Sequence, residues 1–419
     1  MAALRSRCLV VAPAVPSASA SAGDRRLVEM CRLLTERATV DLVAVGGDDD
    51  PEAVAVLRGL GVDVLRGGGR RAVLRALRRA RYDLVLVEFW HVARRYRAMV
   101  RRWQPDALFA VDTVDLHFIR QERGAALGTL ADTPELSAER AAELAEYEAA
   151  DGVVFVSASE RDVCGSVASL RASWVVPIMV VPSERTARRR EPRLVFVGNW
   201  WHAPNIDGVR WFVREVWPAV ITARPDAELK LVGANVWSEV LELDAVPGVE
   251  VIGRVQDLGP VYDAAAIAIA PLRYGAGVKG KVCEALAAGV PVVATPVALE
   301  GLVLTRGADV ELADDAAGMA PAILALLADE TRAEAMGRSG RATILEQCSP
   351  AVAARTLDEM LDHAVASSRG RDARPRWRYR ATVAEGASWV RRRANGARRR
   401  LRRRLPASRR RGRTPPTDS

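Results

Sequence analysis

Lysine is almost missing from this chain. Of 61 basic residues only Lys230, Lys279 and Lys281 are lysine, against 58 arginines. Cysteine is scarce as well: Cys8, Cys31, Cys164, Cys283 and Cys348 are scattered, odd in number, and form no C-x-x-C pair. That pattern excludes a disulfide framework and a cysteine-built zinc site, and fits free thiols in a reducing cytoplasm. There is no run of about 18 apolar residues, so no membrane-spanning helix is expected. Near the N-terminus Arg5, Arg7, CLVVAPAV and SASASA imitate a secretory leader. The apolar part is broken by Pro13, however, and residues 8 to 12 fit a first buried strand better.

What is present is apolar content of 49% over 419 residues, enough for two cores. The net charge of +9 is misleading. Residues 369–419 hold 19 arginines against Asp372, Glu385 and Asp418, which is +16 and leaves the other 368 residues at −7. The body is mildly acidic, and inferences from basicity concern the tail alone.

Short β-branched runs alternate with helical segments. CLVVA, VDLVAV, VDVL, DLVLVEF, ALFAVD and GVVFVS are separated by a helix from about Asp24, one near 51–59 and a basic one near 70–80. This is the pattern of a doubly wound parallel sheet. VVPIMVVPSERTARRREP then reads as a connector. A second cycle follows: RLVFVG, a helix at 205–223, AELKLVG, VEVIG, a helix near 257–265, AAIAIAPL, a helix at 280–288, and VPVVAT. A helix near 350–366 is expected to close this second domain. The expected division is 1–185, 186–350, a closing helix 351–368 and a tail 369–419. Two such domains facing a cleft place the default site at the carboxyl ends of the strands.

The two isolated lysines fall in LRYGAGVKGKVCE, residues 272–284. Gly275, Gly277 and Gly280 admit positive φ and leave no β-carbon in a ligand's way, and the next helix aims its free N–H groups at the same point. A phosphate is the natural occupant. Lysine offers a compact point charge, suited to gripping and releasing a diphosphate, where arginine offers a rigid fork. The plainer alternative is a surface pair between Lys281 and Glu284. Glu284, one turn into the helix, is placed to accept two hydrogen bonds from a ribose.

In the first half, DTVDLH sets Asp112, Asp115 and His117 just after a strand. The D-x-x-D-x-H spacing admits a metal, contacts to acceptor or sugar hydroxyls, or simple helix capping; contact to hydroxyls is the preferred reading. Glu88 and His91 follow the preceding strand, and either is able to face the cleft.

The stretch FVGNWWHAPNIDGVRWFVREVWPAV, then LKLVGAN, GVEVIGRVQDLGPVYDAA and IAPLRYGAGVKGKVCEALAAGVPVVATPVALEGL, resembles the C-terminal domain of family 4 glycosyltransferases, of the two-Rossmann GT-B fold. SAGDRR, VDTVDLHFIRQER and AADGVVFVSASER resemble its first domain more loosely. The resemblance implies a retaining, metal-independent transfer of sugar from a nucleotide-diphosphate donor to a glycan or lipid-linked acceptor, without a further cofactor. It implies that Lys281 neutralises the diphosphate, Glu284 holds the ribose and His117 takes part in catalysis. Gly253 and Arg254 would read the base, with Gly198, Asn199, His202, Gly275, Gly277, Val278 and Lys279 on the donor side. Gly23, Arg26, Glu88, Asp112 and Asp115 would form the acceptor side, Arg26 reaching a diphosphate or an anionic acceptor. Two departures stand out. Ala22 sits where a second glycine is common, and Ala276 sits where many members carry a glutamate that touches the donor sugar.

The Arg-rich tail, with Trp377, Tyr379 and Trp389 interspersed, cannot bury a core. It is expected to be disordered or partly helical and to meet an anionic membrane surface in preference to nucleic acid, which makes the protein cytoplasmic and peripheral. The rival readings are a nucleotide-sugar epimerase of the same fold and a non-catalytic protein that binds sugar nucleotides or membranes.

Overall fold

The computed structural model describes residues 6–17, 21–47, 50–129, 133–180, 182 and 191–372. Residues 1–368 form one compact unit, and the tail beyond Asp372, together with most of the expected connector (181 and 183–190), lies outside the described residues.

Seven parallel strands make the first sheet: β1 (Ser6–Ala12), β2 (Ala38–Ala44), β3 (Asp63–Val64), β4 (Leu84–Glu88), β5 (Leu108–Asp112), β6 (Gly152–Phe155) and β7 (Ser173–Val175), in the order β3-β2-β1-β4-β5-β6-β7. Helices α1 (Ala22–Arg37), α2 (Pro51–Gly59), α3 (Gly69–Arg79), α4 (Trp90–Trp103), α5 (His117–Ala126), α6 (Pro134–Ala149) and α7 (Ala158–Val167) cover it. Cys8 to Ala12 are fully buried, as a central strand covered on both faces requires.

The second sheet has six parallel strands: β8 (Arg193–Val197), β9 (Glu228–Val232), β10 (Val249–Gly253), β11 (Ile267–Ala270), β12 (Val292–Ala294) and β13 (Glu311–Leu312), ordered β10-β9-β8-β11-β12-β13. Its helices are α8 (Ala203–Trp211), α9 (Trp217–Ala223), α10 (Ser238–Leu241), α11 (Gly259–Ala264), α12 (Gly280–Ala287), α13 (Ala316–Ala328), α14 (Glu330–Gln347) and α15 (Pro350–Asp372). In both sheets the winding reverses beside the first strand, between β1 and β4 and between β8 and β11. Those two crevices are where the loops part to admit a ligand.

Two expectations are corrected. The single helix expected at 205–223 is three pieces, because a π-helical turn, Phe212–Val216, joins α8 to α9. Pro218 lacks the N–H that a regular ladder needs, and the Trp217 N–H bonds back to Phe212 instead. The closing helix does not cap the second domain. Ala353, Leu357, Met360, Leu361 and Ala364 of α15 pack into the core of the first, among Cys8, Val10 and Leu27. Arg37 of α1 ties the helix down through Asp358 (3.0 Å) and Asp362 (2.7 Å). Its apolar stripe has no vacant face of the second sheet to cover, since α9, α13 and α14 already fill that core.

Candidate active site

A cavity of about 580 Å³ opens where the two crevices face each other. The second domain contributes Gly198, Asn199, Trp201, His202 and Asn205 after β8, Arg254 after β10, and residues 276–281 with Glu284 after β11. The first domain contributes Ser21–Gly23 and Arg25, Phe89 and His91, and Val114, Asp115, His117 and Arg120.

The β11–α12 loop is the most built part. Gly277 has φ +73°, and a β-carbon there would stand 3.1 Å from that of Asp115. Lys279 is the N-cap of α12 but makes no side-chain cap; its Nζ donates to the Gly277 carbonyl at 2.5 Å. Among the described residues the backbone N–H groups of Gly280 and Lys281 have no acceptor, so the positive end of α12 is open to the cavity.

Lys281 Nζ donates to Asn205 Oδ1 at 2.5 Å and lies 4.2 Å from the centre of the Phe196 ring. It does not pair with Glu284, so the surface-pair alternative is set aside. Burial, with Lys279 adding like-charge repulsion, pushes Lys281 down to about 7, and burial pushes Lys279 down to about 8. Glu284 is bonded across the cleft by Arg25 and has the Tyr262 hydroxyl at 3.5 Å. Burial raises its carboxyl pKa.

The loop is fixed from behind by the first domain. Arg123 of α5 donates to the Gly275 carbonyl at 2.8 Å and grips both oxygens of Glu300 at 2.6 and 2.7 Å. Glu160 of α7 is buried nearby, and burial together with Asp115 pushes it up to about 8. One of its oxygens accepts the Leu116 N–H at 3.2 Å and the other is buried without a partner.

On the opposite wall Trp90 Nε1 donates to His117 Nδ1 at 3.2 Å. Indole has no acceptor, so the imidazole proton sits on Nε2, 3.2 Å from Asp115 Oδ1. Asp115 is also bonded by Arg120, and its carboxyl is held below the ordinary value by His117 and Arg120 against the effect of burial. Burial and nearby cations push His202 down to about 4, so it is neutral at neutral pH. Phe89 (φ 65°) and Val114 (φ 61°) are non-glycine residues in the left-handed region, and both line the cavity. For β-branched Val114 this conformation is strained, of the kind that collects at functional loops.

Of the residues singled out in the sequence, the cavity gathers Gly23, Asp115, His117, Gly198, Asn199, His202, Arg254, Gly277, Val278, Lys279, Lys281 and Glu284. Five others lie away from it. Arg26 is 1% exposed and turned inward: it pairs with Asp112 at 2.7 Å and donates to the Val176 carbonyl at 2.9 Å. Neither Arg26 nor Asp112 is therefore available to an acceptor, because the helical phase that buries Leu27 and Met30 also buries Arg26. Glu88 is buried behind them, its carboxyl well above the usual range through burial and the nearby Asp112; His91 lines the cavity instead. Gly253, at φ +76°, accepts the Gly233 N–H through its carbonyl and turns the chain so that Arg254 reaches the cavity. Gly275 faces Arg123.

Arg25, Arg120, Asn205 and Trp201 were not singled out. Arg25 is one residue from the arginine chosen by motif, and only the packing of α1 separates the two. Asn205 belongs to the quoted HAPNIDG segment, but its pairing with Lys281 joins the first turns of α8 and α12 and leaves no local signal.

Residues 191–329 match the family model for glycosyl transferases group 1. This stretch is a group 1 glycosyltransferase domain. Over 163 residues the chain is 34% identical to a GDP-mannose-dependent monoacylated alpha-(1-6)-phosphatidylinositol monomannoside mannosyltransferase of Corynebacterium glutamicum, covering 34% of this chain and 41% of that one. Over 130 residues it is 29% identical to an uncharacterized 44.6 kDa protein in the cps region of Klebsiella pneumoniae, covering 29% of this chain and 34% of the other. The chain thus spans well under half the length of these curated relatives. Among solved structures, sucrose-phosphate synthase of Thermosynechococcus elongatus superposes with TM-score 0.69 at 18% identity, over 87% of this chain and all of that one. Anabaena HepE in complex with UDP and glucose gives 0.66 at 13%, over 85% of this chain and all of its own. At such identities the likeness is one of fold: the group 1 glycosyltransferase domain sits in a GT-B architecture.

Proposed function

We propose that this protein transfers a sugar from a nucleotide-diphosphate donor to an acceptor hydroxyl on a glycan or lipid, with retention and without a bound metal. The observation that carries this reading is the convergence, on one cavity, of the uncapped N-terminus of α12, two lysines of depressed pKa and the carboxylate of Glu284. The relatives support it: HepE is crystallised with UDP and glucose, and the Corynebacterium protein is named for GDP-mannose and a phosphatidylinositol mannoside.

In this reading the diphosphate lies on the N–H groups of Gly280 and Lys281, with Lys281 and Lys279 neutralising charge as the anomeric C–O bond breaks. Glu284 exchanges Arg25 for the ribose hydroxyls. Asp115, His117 and His202 orient sugar and acceptor. The acceptor oxygen attacks the face the diphosphate leaves, and its proton passes to a diphosphate oxygen. The protein works at the cytoplasmic side of a membrane, with the tail beyond Asp372 held by anionic lipid and nucleic acid not a partner.

Ala276 favours a second reading, donor binding without transfer, because its methyl lines the cavity where the resemblance expects a carboxylate on the sugar. One experiment separates the two. UDP-, GDP- and ADP-sugars are screened by thermal shift, where saturation at 100 Kd stabilises by about 2.7 kcal/mol. The stabilising donor is then incubated with extracted lipids and glycans, with and without chelator. Chelator-insensitive transfer is expected; stabilisation without transfer supports the second reading, and no stabilisation by any donor rejects both.

A further inference from the structure

The mildly acidic body hides a strong internal segregation of charge. Residues 65–103 contain twelve arginines and only two acids, Asp83 and Glu88, a net +10 inside a body of −7. Both acids lie beneath the surface, Glu88 buried at the end of β4 and Asp83 half-buried before it. Ten of the arginines are exposed. Arg79 pairs with Asp63 and Arg81 with Asp106, but Arg66, Arg70, Arg71, Arg75, Arg78, Arg94, Arg95 and Arg102 meet no carboxylate among the described residues.

These arginines share one side of the first sheet, where α3 and α4 pack into the same core through Val73, Leu77, Val92 and Tyr96. Arg78 of α3 and Arg102 of α4 lie 5.0 and 6.0 Å from the ring of the half-buried Trp103, which joins the two helices into one surface. Half-buried Leu65 and Leu74 stand among the guanidinium groups. Cations on apolar stems with leucine and indole between them match the headgroup layer of an anionic bilayer, where the stems and rings enter the interface and the charges stay with the phosphates. A nucleic acid would gain little from the leucines. The first turn of α4 carries His91, on the cavity wall, so the face that meets the bilayer adjoins the acceptor side of the cleft.

We propose that the α3–α4 face is a membrane-docking surface for anionic phospholipid, separate from the tail. It turns the first-domain wall of the cleft toward the bilayer. This surface stands whether or not the transfer proposed above occurs, since it concerns binding alone.

The test uses the full chain and vesicles of phosphatidylcholine with 30% phosphatidylglycerol, at low and high salt. All five native cysteines are buried, so an introduced surface cysteine can be labelled selectively. An environment-sensitive fluorophore on Arg71→Cys or Arg94→Cys is expected to shift to the blue on these vesicles and not on pure phosphatidylcholine. The same label on Arg338→Cys of α14 stays unchanged. The triple variant Arg70→Gln, Arg71→Gln, Arg75→Gln is expected to bind at least tenfold more weakly, with nucleotide-diphosphate binding and melting temperature kept. Vesicle binding that leaves the labels at 71 and 94 silent, or that the triple variant retains in full, overturns the proposal in favour of the tail alone. Tighter binding to a 20-base-pair DNA duplex than to the vesicles, lost in the triple variant, overturns it in favour of nucleic acid.

Discussion

Two helices point their N-termini into the same cavity, and they are finished in opposite ways. Helix α1 caps itself with a side chain: Ser21 accepts the Asp24 N–H at 3.0 Å, and Asp24 supplies a carboxylate in the first turn. Helix α12 lacks a side-chain cap, leaves N–H groups open and carries Lys281 in its first turn. A helix end that carries its own cap and an acid in its first turn repels an anion; one left uncapped beside a cation is a place for one. The first domain therefore presents side chains to the cleft, and the second adds open backbone N–H groups to its own side chains.

The largest effect expected from this contrast is at Lys281. Lys281→Ala should lower turnover about 10²- to 10³-fold, the order seen when one stabilising group is removed from a developing charge, with little change in melting temperature. Near-normal kcat would remove the phosphate reading of α12.

Next comes the point where the two helices touch. A methyl added by Gly280→Ala would stand 2.2 Å from that of Ala22, so the variant should lose about 1 to 3 kcal/mol by overpacking, together with donor affinity. Adding Ala22→Gly to the same chain should recover both; failure of the pair to recover would locate the damage elsewhere.

Glu284→Gln removes the charge that the ribose is proposed to use. Nucleoside diphosphate affinity should fall about tenfold, while pyrophosphate, which has no ribose, binds as well or better. Equal losses for both ligands would show that Glu284 acts only through Arg25.

The dependence on pH is gentler and its sign is fixed. Lysine ordinarily titrates near 10.5, but Lys281 is held near 7 and Lys279 near 8, so the empty site loses its protons as pH rises through those values. A bound diphosphate favours the ammonium forms. Binding above pH 7 should therefore take up protons, and affinity should fall with rising pH by at most about 1.4 kcal/mol per unit for each proton. Calorimetry in buffers of different ionisation enthalpy measures the uptake, and Lys281→Ala should reduce it.

The smallest effect belongs to α1. Ser21→Ala should cost about 1 kcal/mol of stability and leave nucleotide binding unchanged, because that cap serves the helix and not a ligand.

Much of this is legible in the sequence. Alternating buried runs announced two parallel sheets, and the rarity of lysine led to the loop that the cavity is built around. The misreadings share a cause. Motif spacing points to Arg26 and not Arg25 because it counts residues, whereas the packing of α1 decides which of two neighbours is buried. Chain order places helix α15 with the domain it follows, yet its apolar stripe packs into the core of the other. The Asn205–Lys281 pair and the Arg123–Glu300 clamp join distant segments and have no local pattern to reveal them.

That clamp bears on time as well as shape. Arg123 holds Gly275 and Glu300, and Arg25 holds Glu284, so the two lobes are fastened to each other at two points. If the proposed transfer holds, the exchange of Arg25 for ribose at Glu284 adds a mechanical step to each cycle alongside the chemistry.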